Sequence, residues 1–159
     1  MIIMWRYLWV AVVVLVLDQL TKLAATEFLL RHGEVPLMPF LNLVLVHNTG
    51  AAFGFLSSAG GWQNIFFIIV AVAASVFILW MISRLENKDR LLAIALMLIL
   101  GGALGNLTDR LIHGYVIDFM DFYYGTWHWP AFNVADSGIT MGATLLILDA
   151  LGIWKPRNT

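Results

Sequence analysis

The chain has 159 residues, of which 61% are hydrophobic and 12% charged, with no cysteine and a formal net charge of −1. Soluble domains are about 45–50% apolar and about 25% charged, so this chain has too few charges to cover a water-facing surface, and its excess apolar residues are expected to face lipid. The near-neutral balance excludes the clustered basic footprint of a nucleic-acid-binding domain, and zero cysteine excludes disulfides, thiolate metal sites and a cysteine nucleophile.

Crossing the hydrocarbon core takes about 20 apolar residues, and four segments qualify, over 7–29, 63–83, 91–111 and 134–154. They predict an all-α integral membrane protein with four transmembrane helices, forming a single membrane domain over 1–159, with outer segments at 30–62 and 112–133. The first span is interrupted by Asp18 and Lys22 and no small-residue cleavage site follows, so it reads as retained rather than as a cleaved signal peptide. These two residues share a helix face and can pair. Polar groups in a span face a protein interior or a wet cavity by default, so the pair either fastens span one to its neighbours or reaches a site.

After span one, Phe40 to Val46 is apolar and β-prone but too short to cross, and Pro36, Pro39 and Gly50 bound it. It reads as a strand on the outer leaflet. Gly50, Gly54, Gly60 and Gly61 then punctuate a loop able to bend close to a ligand. The linker 83–90 is short and charged and reads as a tight helix–helix turn. In span three, Gly101 and Gly105 form a small-xxx-small face for close helix approach. Asn106, Asp109 and Arg110 follow on one face, about 22–28 Å along the helix and close to its outer end. They either cap that end or support a site.

Charge placement sets the orientation, because cytoplasmic flanks are enriched in Lys and Arg. Arg6, Arg84, Lys88, Arg90, Lys155 and Arg157, six of the nine basic residues, fall on one side, which puts both termini in the cytoplasm. Trp5, Trp9, Trp62, Trp80, Trp127, Trp129 and Trp154 lie at or near span ends, as an interfacial aromatic belt requires.

Four of the ten acidic residues fall between 101 and 136: Asp109, Asp118, Asp121 and Asp136. The topology delivers carboxylates from two helix ends to one depth. Two close carboxylates share a proton, one then acting as base on a water while the other donates to a carbonyl oxygen, which is peptide hydrolysis of the aspartic type. Asp121 reads equally as a water-facing residue or a helix N-cap, so the motif alone does not choose between Asp118 and Asp121. Asn48 and Asn133 are candidates to orient an acid or bind a substrate backbone, although asparagine beside glycine is also an ordinary turn signal. His47, His113 and His128 lack the HExxH spacing of a zinc helix, and Ser137 has no evident base except the neighbouring acids, so a metal site and serine catalysis fit less well.

These residues resemble the lipoprotein signal peptidases, also called signal peptidase II, of bacterial inner membranes. The resemblance covers the whole chain and rests on five ordered blocks: Asp18-Gln19-Leu20-Thr21-Lys22, Asn48-Thr49-Gly50-Ala51-Ala52-Phe53, Gly102 to Arg110, Val116-Ile117-Asp118-Phe119, and Phe132-Asn133-Val134-Ala135-Asp136. It implies an aspartic endopeptidase that removes signal peptides from diacylglyceryl-modified prolipoproteins, cutting before the lipidated cysteine and using no cofactor or metal. It also implies that Asp118 and Asp136 are the catalytic pair and Asp121 is not. Asn48, Gly50, Asn106, Arg110 and Asn133 match active-site or substrate-binding positions, Asp18 and Lys22 match the first block, and Asp109 belongs to the same supporting set. A small extracytoplasmic β-cradle, a short outer helix or loop, sensitivity to globomycin and an active site near the periplasmic face follow from the same resemblance. A monomer satisfies all of this. The alternative is a small transporter or lipid carrier using Asp18, Lys22 and Asp109 as buried relay charges, against which stands the lack of an internal repeat.

Overall fold

The structure, a computed structural model, describes residues 4–50, 61–86 and 88–153. A 3₁₀ turn over Met4–Tyr7 leads into helix α1 (Leu8–His32), followed by strands β1 (Val35–Met38) and β2 (Leu41–Asn48), helices α2 (Trp62–Arg84) and α3 (Arg90–His113), strands β3 (Val116–Tyr124) and β4 (Trp127–His128), and helix α4 (Val134–Ala150). The loop expected to bend close to a ligand falls mostly on 51–60, outside the described residues.

The helices are apolar nearly all round, so burial follows close packing rather than an apolar face. On α1 the buried residues Val10, Val14, Asp18 and Lys22 recur every four positions and make one narrow stripe, while Val12, Val16, Leu20 and Leu23 are exposed. A helix whose polar residues are inside and whose apolar residues are outside is built for lipid. α3 is the central post and packs against α1, α2 and α4. Its glycines allow this: a Cβ on Gly101 would lie 2.7 Å from the Ala11 carbonyl oxygen, and one on Gly105 would lie 2.6 Å from Asp18 Oδ2. The close helix approach expected of these residues is present, and α1 is the partner. Val10, Ala11, Ile78, Ile82, Leu96, Met97 and Leu100 form the apolar core below that level.

Among the described residues, three helices are long and apolar enough to cross a membrane, Trp5–His32, Trp62–Arg84 and Arg90–His113. The helix found where a fourth span is expected, over 134–154, is not among them and is shorter. α4 has 17 residues, about 25 Å of helix against a hydrocarbon core of about 30 Å. Gly152, at φ 70°, turns the chain out of the helix, and its N–H donates to the Asp149 carbonyl at 3.0 Å.

The four strands form one antiparallel sheet in the order β1-β2-β3-β4. The small sheet expected beside the helices is present, so the label all-α is too narrow, and where a short outer helix or loop is expected the segment 112–133 carries strands β3 and β4 with a loop after them. Between Gly114 and Gly125, with φ 83° and 61°, Val116–Tyr124 is rich in β-branched and aromatic residues and extends as a strand. Gly114 ends α3, its N–H donating to the Arg110 carbonyl at 3.2 Å in a left-handed backbone that suits glycine. The register of β2 on β3 passes from Leu43 opposite Met120 to Val46 opposite Asp118, so β2 carries one extra residue. That bulge lets Asn42 serve Asp121 while Asn48 serves Asp118.

Candidate active site

Where the sheet meets the C-terminal end of α3 and the N-terminal end of α4 lies a cavity of about 820 Å³, whose lining includes Asn48, Gly50, Asn106, Arg110, Asp118 and Asp136. Phe122, Trp127, Trp129, Phe132, Ile139 and Met141 supply an apolar wall. The two carboxylates reach it from different elements, Asp118 from β3 and Asp136 from the first turn of α4.

Asn133 joins them. It is the N-cap of α4: its side-chain oxygen accepts from the Asp136 N–H at 2.8 Å, and its own N–H donates to Asp136 Oδ2 at 3.3 Å, a reciprocal capping box. Its Nδ2 donates to Asp118 Oδ1 at 2.7 Å. Asn48 Nδ2 donates to Asp118 Oδ2 at 3.0 Å, and Asn106 Nδ2 donates to Asp136 Oδ1 at 2.8 Å. Burial pushes the Asp118 carboxyl up to about 7, the neighbouring Asp136 charge pushes the same way, and the amide hydrogen bonds and the Lys22 charge oppose the rise. Such a group holds a proton near neutral pH beside a second carboxylate.

Beneath the cavity sits a buried charge network. Lys22 Nζ lies 2.8 Å from Asp18 Oδ2 and 2.8 Å from Asp109 Oδ2, and donates to Asn106 Oδ1 at 3.0 Å. Asp18 Oδ1 accepts the Ala135 N–H at 2.8 Å, so α1 holds the N-terminus of α4. Asp109 Oδ2 accepts the Ile117 N–H at 3.0 Å, which fixes the start of β3. Asp18 thus pairs with Lys22 as its spacing implied, and Lys22 takes a second acid as well. Arg110 Nη2 donates to the Gly50 carbonyl at 2.8 Å and its guanidinium lies 5.0 Å from the Phe67 ring centroid, tying β2's exit to α3 and α2.

The structure therefore gathers Asn48, Asn106, Asp118, Asn133 and Asp136 around one cavity, lines it also with Gly50 and Arg110, and sets Asp18, Lys22 and Asp109 directly below. Asp109 does not share the cavity with Asn106 and Arg110; it faces Lys22 and β3. Asp121 is neither water-facing nor a helix cap: it is buried on the other face of β3, where Asn42 Nδ2 donates to its Oδ2 at 3.1 Å and His128 Nδ1 lies 2.9 Å from the same atom. Sequence reasoning gave no role to Asn42 or His128, nor to Gln19, whose Nε2 donates to Asp109 Oδ1 at 2.9 Å and to Asp18 Oδ2 at 3.2 Å. For Gln19 the signal was present: it is a polar residue inside a span, beside Asp18.

Apolar helices capped by a small sheet, with paired buried carboxylates in a cavity between them, describe a membrane-embedded enzyme. The sequence pattern of Signal peptidase (SPase) II matches residues 10–152. Lipoprotein signal peptidases are similar over most of their length: that of Alteromonas mediterranea is 50% identical over 144 residues, 91% of this chain and 79% of that protein. That of Paraburkholderia phymatum is 52% identical over 145 residues, 91% of this chain and 87% of that protein. A bacterial membrane enzyme solved by the in meso method at 2.3 Å matches with a TM-score of 0.81 and 29% identity, covering 97% of this chain and 93% of that chain. The chain belongs to the signal peptidase II family, the lipoprotein signal peptidases, which are proteases. Membership decides for the peptidase reading over the transporter reading.

Proposed function

We propose that the chain is an intramembrane aspartic endopeptidase acting on diacylglyceryl-modified prolipoproteins, with Asp118 and Asp136 as the catalytic pair. The observation that carries this is Asn133, which binds both carboxylates at once and holds them at one cavity. Asp136 lies in the first turn of α4, where the helix N-terminus favours a negative charge, so it serves as the base. Asp118 carries the shared proton. In the first step Asp136 takes a proton from water as the water oxygen bonds to the scissile carbonyl carbon, and Asp118 gives its proton to the carbonyl oxygen. In the second, the tetrahedral carbon expels the amine of the lipidated cysteine, which takes a proton from Asp136, while the hydroxyl proton returns to Asp118. The atoms balance as one water consumed and one peptide bond broken.

Depth favours this assignment. Asp18 lies about 20 Å along its helix from Trp5, Asn106 about 24 Å from Arg90 and Asp136 about 21 Å from Ala150. Taking those ends as the cytoplasmic face, the pair sits several ångströms inside the outer edge of a core about 30 Å thick. α4 is then a fourth span that begins at the active site rather than at the membrane surface, with both termini cytoplasmic and the site opening toward the periplasmic side of a bacterial inner membrane. A lipidated precursor keeps its acyl chains in the bilayer while its scissile bond enters the cavity along the aromatic wall, and a globomycin-type cyclic peptide occupying the cavity blocks it. One copy of the chain forms the site.

The test is incubation of the purified chain with a diacylglyceryl-modified precursor and its unlipidated counterpart, with and without chelator. Cleavage of the lipidated form alone, unaffected by chelator, is expected; cleavage that needs a metal, or that ignores the lipid, overturns the reading.

A further inference from the structure

Three asparagines donate to the proposed catalytic carboxylates, and each can do so only with its amide turned one way. An amide flip exchanges a donor for an acceptor. What faces the oxygen of each amide therefore decides whether its NH2 reaches the carboxylate. For Asn48 that partner is the Gly50 backbone N–H at 2.9 Å, and for Asn133 it is the Asp136 N–H at 2.8 Å. A backbone N–H can only donate, so both orientations are set by the main chain. Asn106 differs. Its oxygen faces Lys22 Nζ at 3.0 Å, with Asn133 Nδ2 at 3.3 Å, so its orientation depends on side chains.

Lys22 is suited to that task. The ammonium has three hydrogens and three acceptors, Asp18 Oδ2, Asp109 Oδ2 and Asn106 Oδ1, and the residue is 2% exposed. Two hydrogens are held by buried carboxylates, which leaves the third aimed at the Asn106 oxygen. We infer that Lys22 is a positioning residue for hydrolysis: it pins the Asn106 oxygen so that the Asn106 NH2 faces Asp136, acting through Asn106 without touching substrate. The inference rests on Asp118 and Asp136 being the catalytic pair.

The test is a double-mutant cycle on the purified full chain with a diacylglyceryl-modified precursor. Lys22→Met removes the pinning donor and Asn106→Ala removes the amide. Each single variant is expected to lower kcat about 10- to 100-fold, the scale of one hydrogen bond to a charged group. KM should stay unchanged, and the two pH–rate profiles should be displaced in the same sense. The double variant should fall well short of the product of the two single losses, because the path through Asn106 is broken only once and only the direct Lys22 charge on the carboxylates is added. Losses that multiply, or a rise in KM with kcat intact, overturn the inference. Asn106→Asp leaves Lys22 and its two acids in place and covers failure of Lys22→Met to fold. It keeps an oxygen for Lys22 but presents no hydrogen to Asp136 until protonated, so kcat should fall about 10- to 100-fold at neutral pH and recover in part as pH is lowered. A wild-type kcat at neutral pH overturns the inference. If Asp118→Asn or Asp136→Asn still cleaves, the catalytic assignment fails instead.

Discussion

Asp118 and Asp121 stand three residues apart on β3 and face opposite sides of the sheet, as alternation in a strand requires. Both are buried, at 1% and 7% exposure, yet they meet different chemistry. Asp118 looks into the cavity of about 820 Å³ beside a second carboxylate, held by two neutral amides and, among the described residues, by no direct cation. Asp121 looks toward a second cavity of about 620 Å³ and is held by Asn42 and the His128 imidazole. Both acids are buried, so what sets the proposed catalytic acid apart is its setting: burial and the neighbouring Asp136 charge together favour a proton on Asp118, and the second carboxylate can serve as base.

The sharpest way to break this contrast is to neutralise each acid in turn. Asp118→Asn is expected to lower the rate of precursor cleavage by at least about 10³-fold, the scale of general acid–base catalysis, with the chain still folded by thermal unfolding. Asp121→Asn should leave the rate within about tenfold, since the amide can still hydrogen-bond on that face. Equal losses in the two would remove the distinction.

The proton on Asp118 gives a second handle. An acid whose carboxyl is raised to about 7 keeps its proton up to that pH and loses it above. With both carboxylates ionised, no proton remains for the carbonyl oxygen. Cleavage under saturating substrate is expected to fall as pH rises through about 7, and a rate that is flat from pH 6 to 9 (about two units above the midpoint) contradicts it.

Asn133→Ala removes the side-chain donor to Asp118 and the side-chain acceptor that caps α4, while the backbone N–H still reaches Asp136. About a 100-fold loss of kcat is expected from the hydrogen bonds, with about 1 kcal/mol of stability lost with the cap, read by kinetics and thermal unfolding of the same preparation. Gly105→Ala acts below the site: its Cβ would meet Asp18 Oδ2, and overpacking of this kind costs about 1–3 kcal/mol, seen as a lower unfolding midpoint. The smallest effect belongs to the other face. His128 is half-exposed, so His128→Ala should cost at most about 1 kcal/mol and leave cleavage within about threefold, measured on the lipidated precursor.

The helices were legible because a long apolar run with few charges has one stable solution in lipid, and the described α1, α2 and α3 begin and end within a few residues of the expected spans. The β2 segment was legible from its length, composition and flanking prolines. β3 was not, since in Val116–Tyr124 the acids interrupt the pattern that would mark a strand. The length of α4 was missed because the apolar run continues past the glycine that turns the chain out of the helix. At the site, family blocks rather than spacing separated Asp118 from Asp121.

By itself the sequence determined that this is a membrane protein, where the three helices long and apolar enough to cross begin and end, and that carboxylates gather near the C-terminal end of the third helix and the N-terminal end of the fourth. Composition and apolar run length depend only on local chemistry and the solvent. Only the tertiary structure decided which acid faces the cavity, which amide each asparagine turns to it, and that Lys22 holds two acids and an amide at once. Those outcomes depend on a bulge in β2 and on contacts between residues as far apart as Asp18 and Ala135, which no periodicity along the chain encodes.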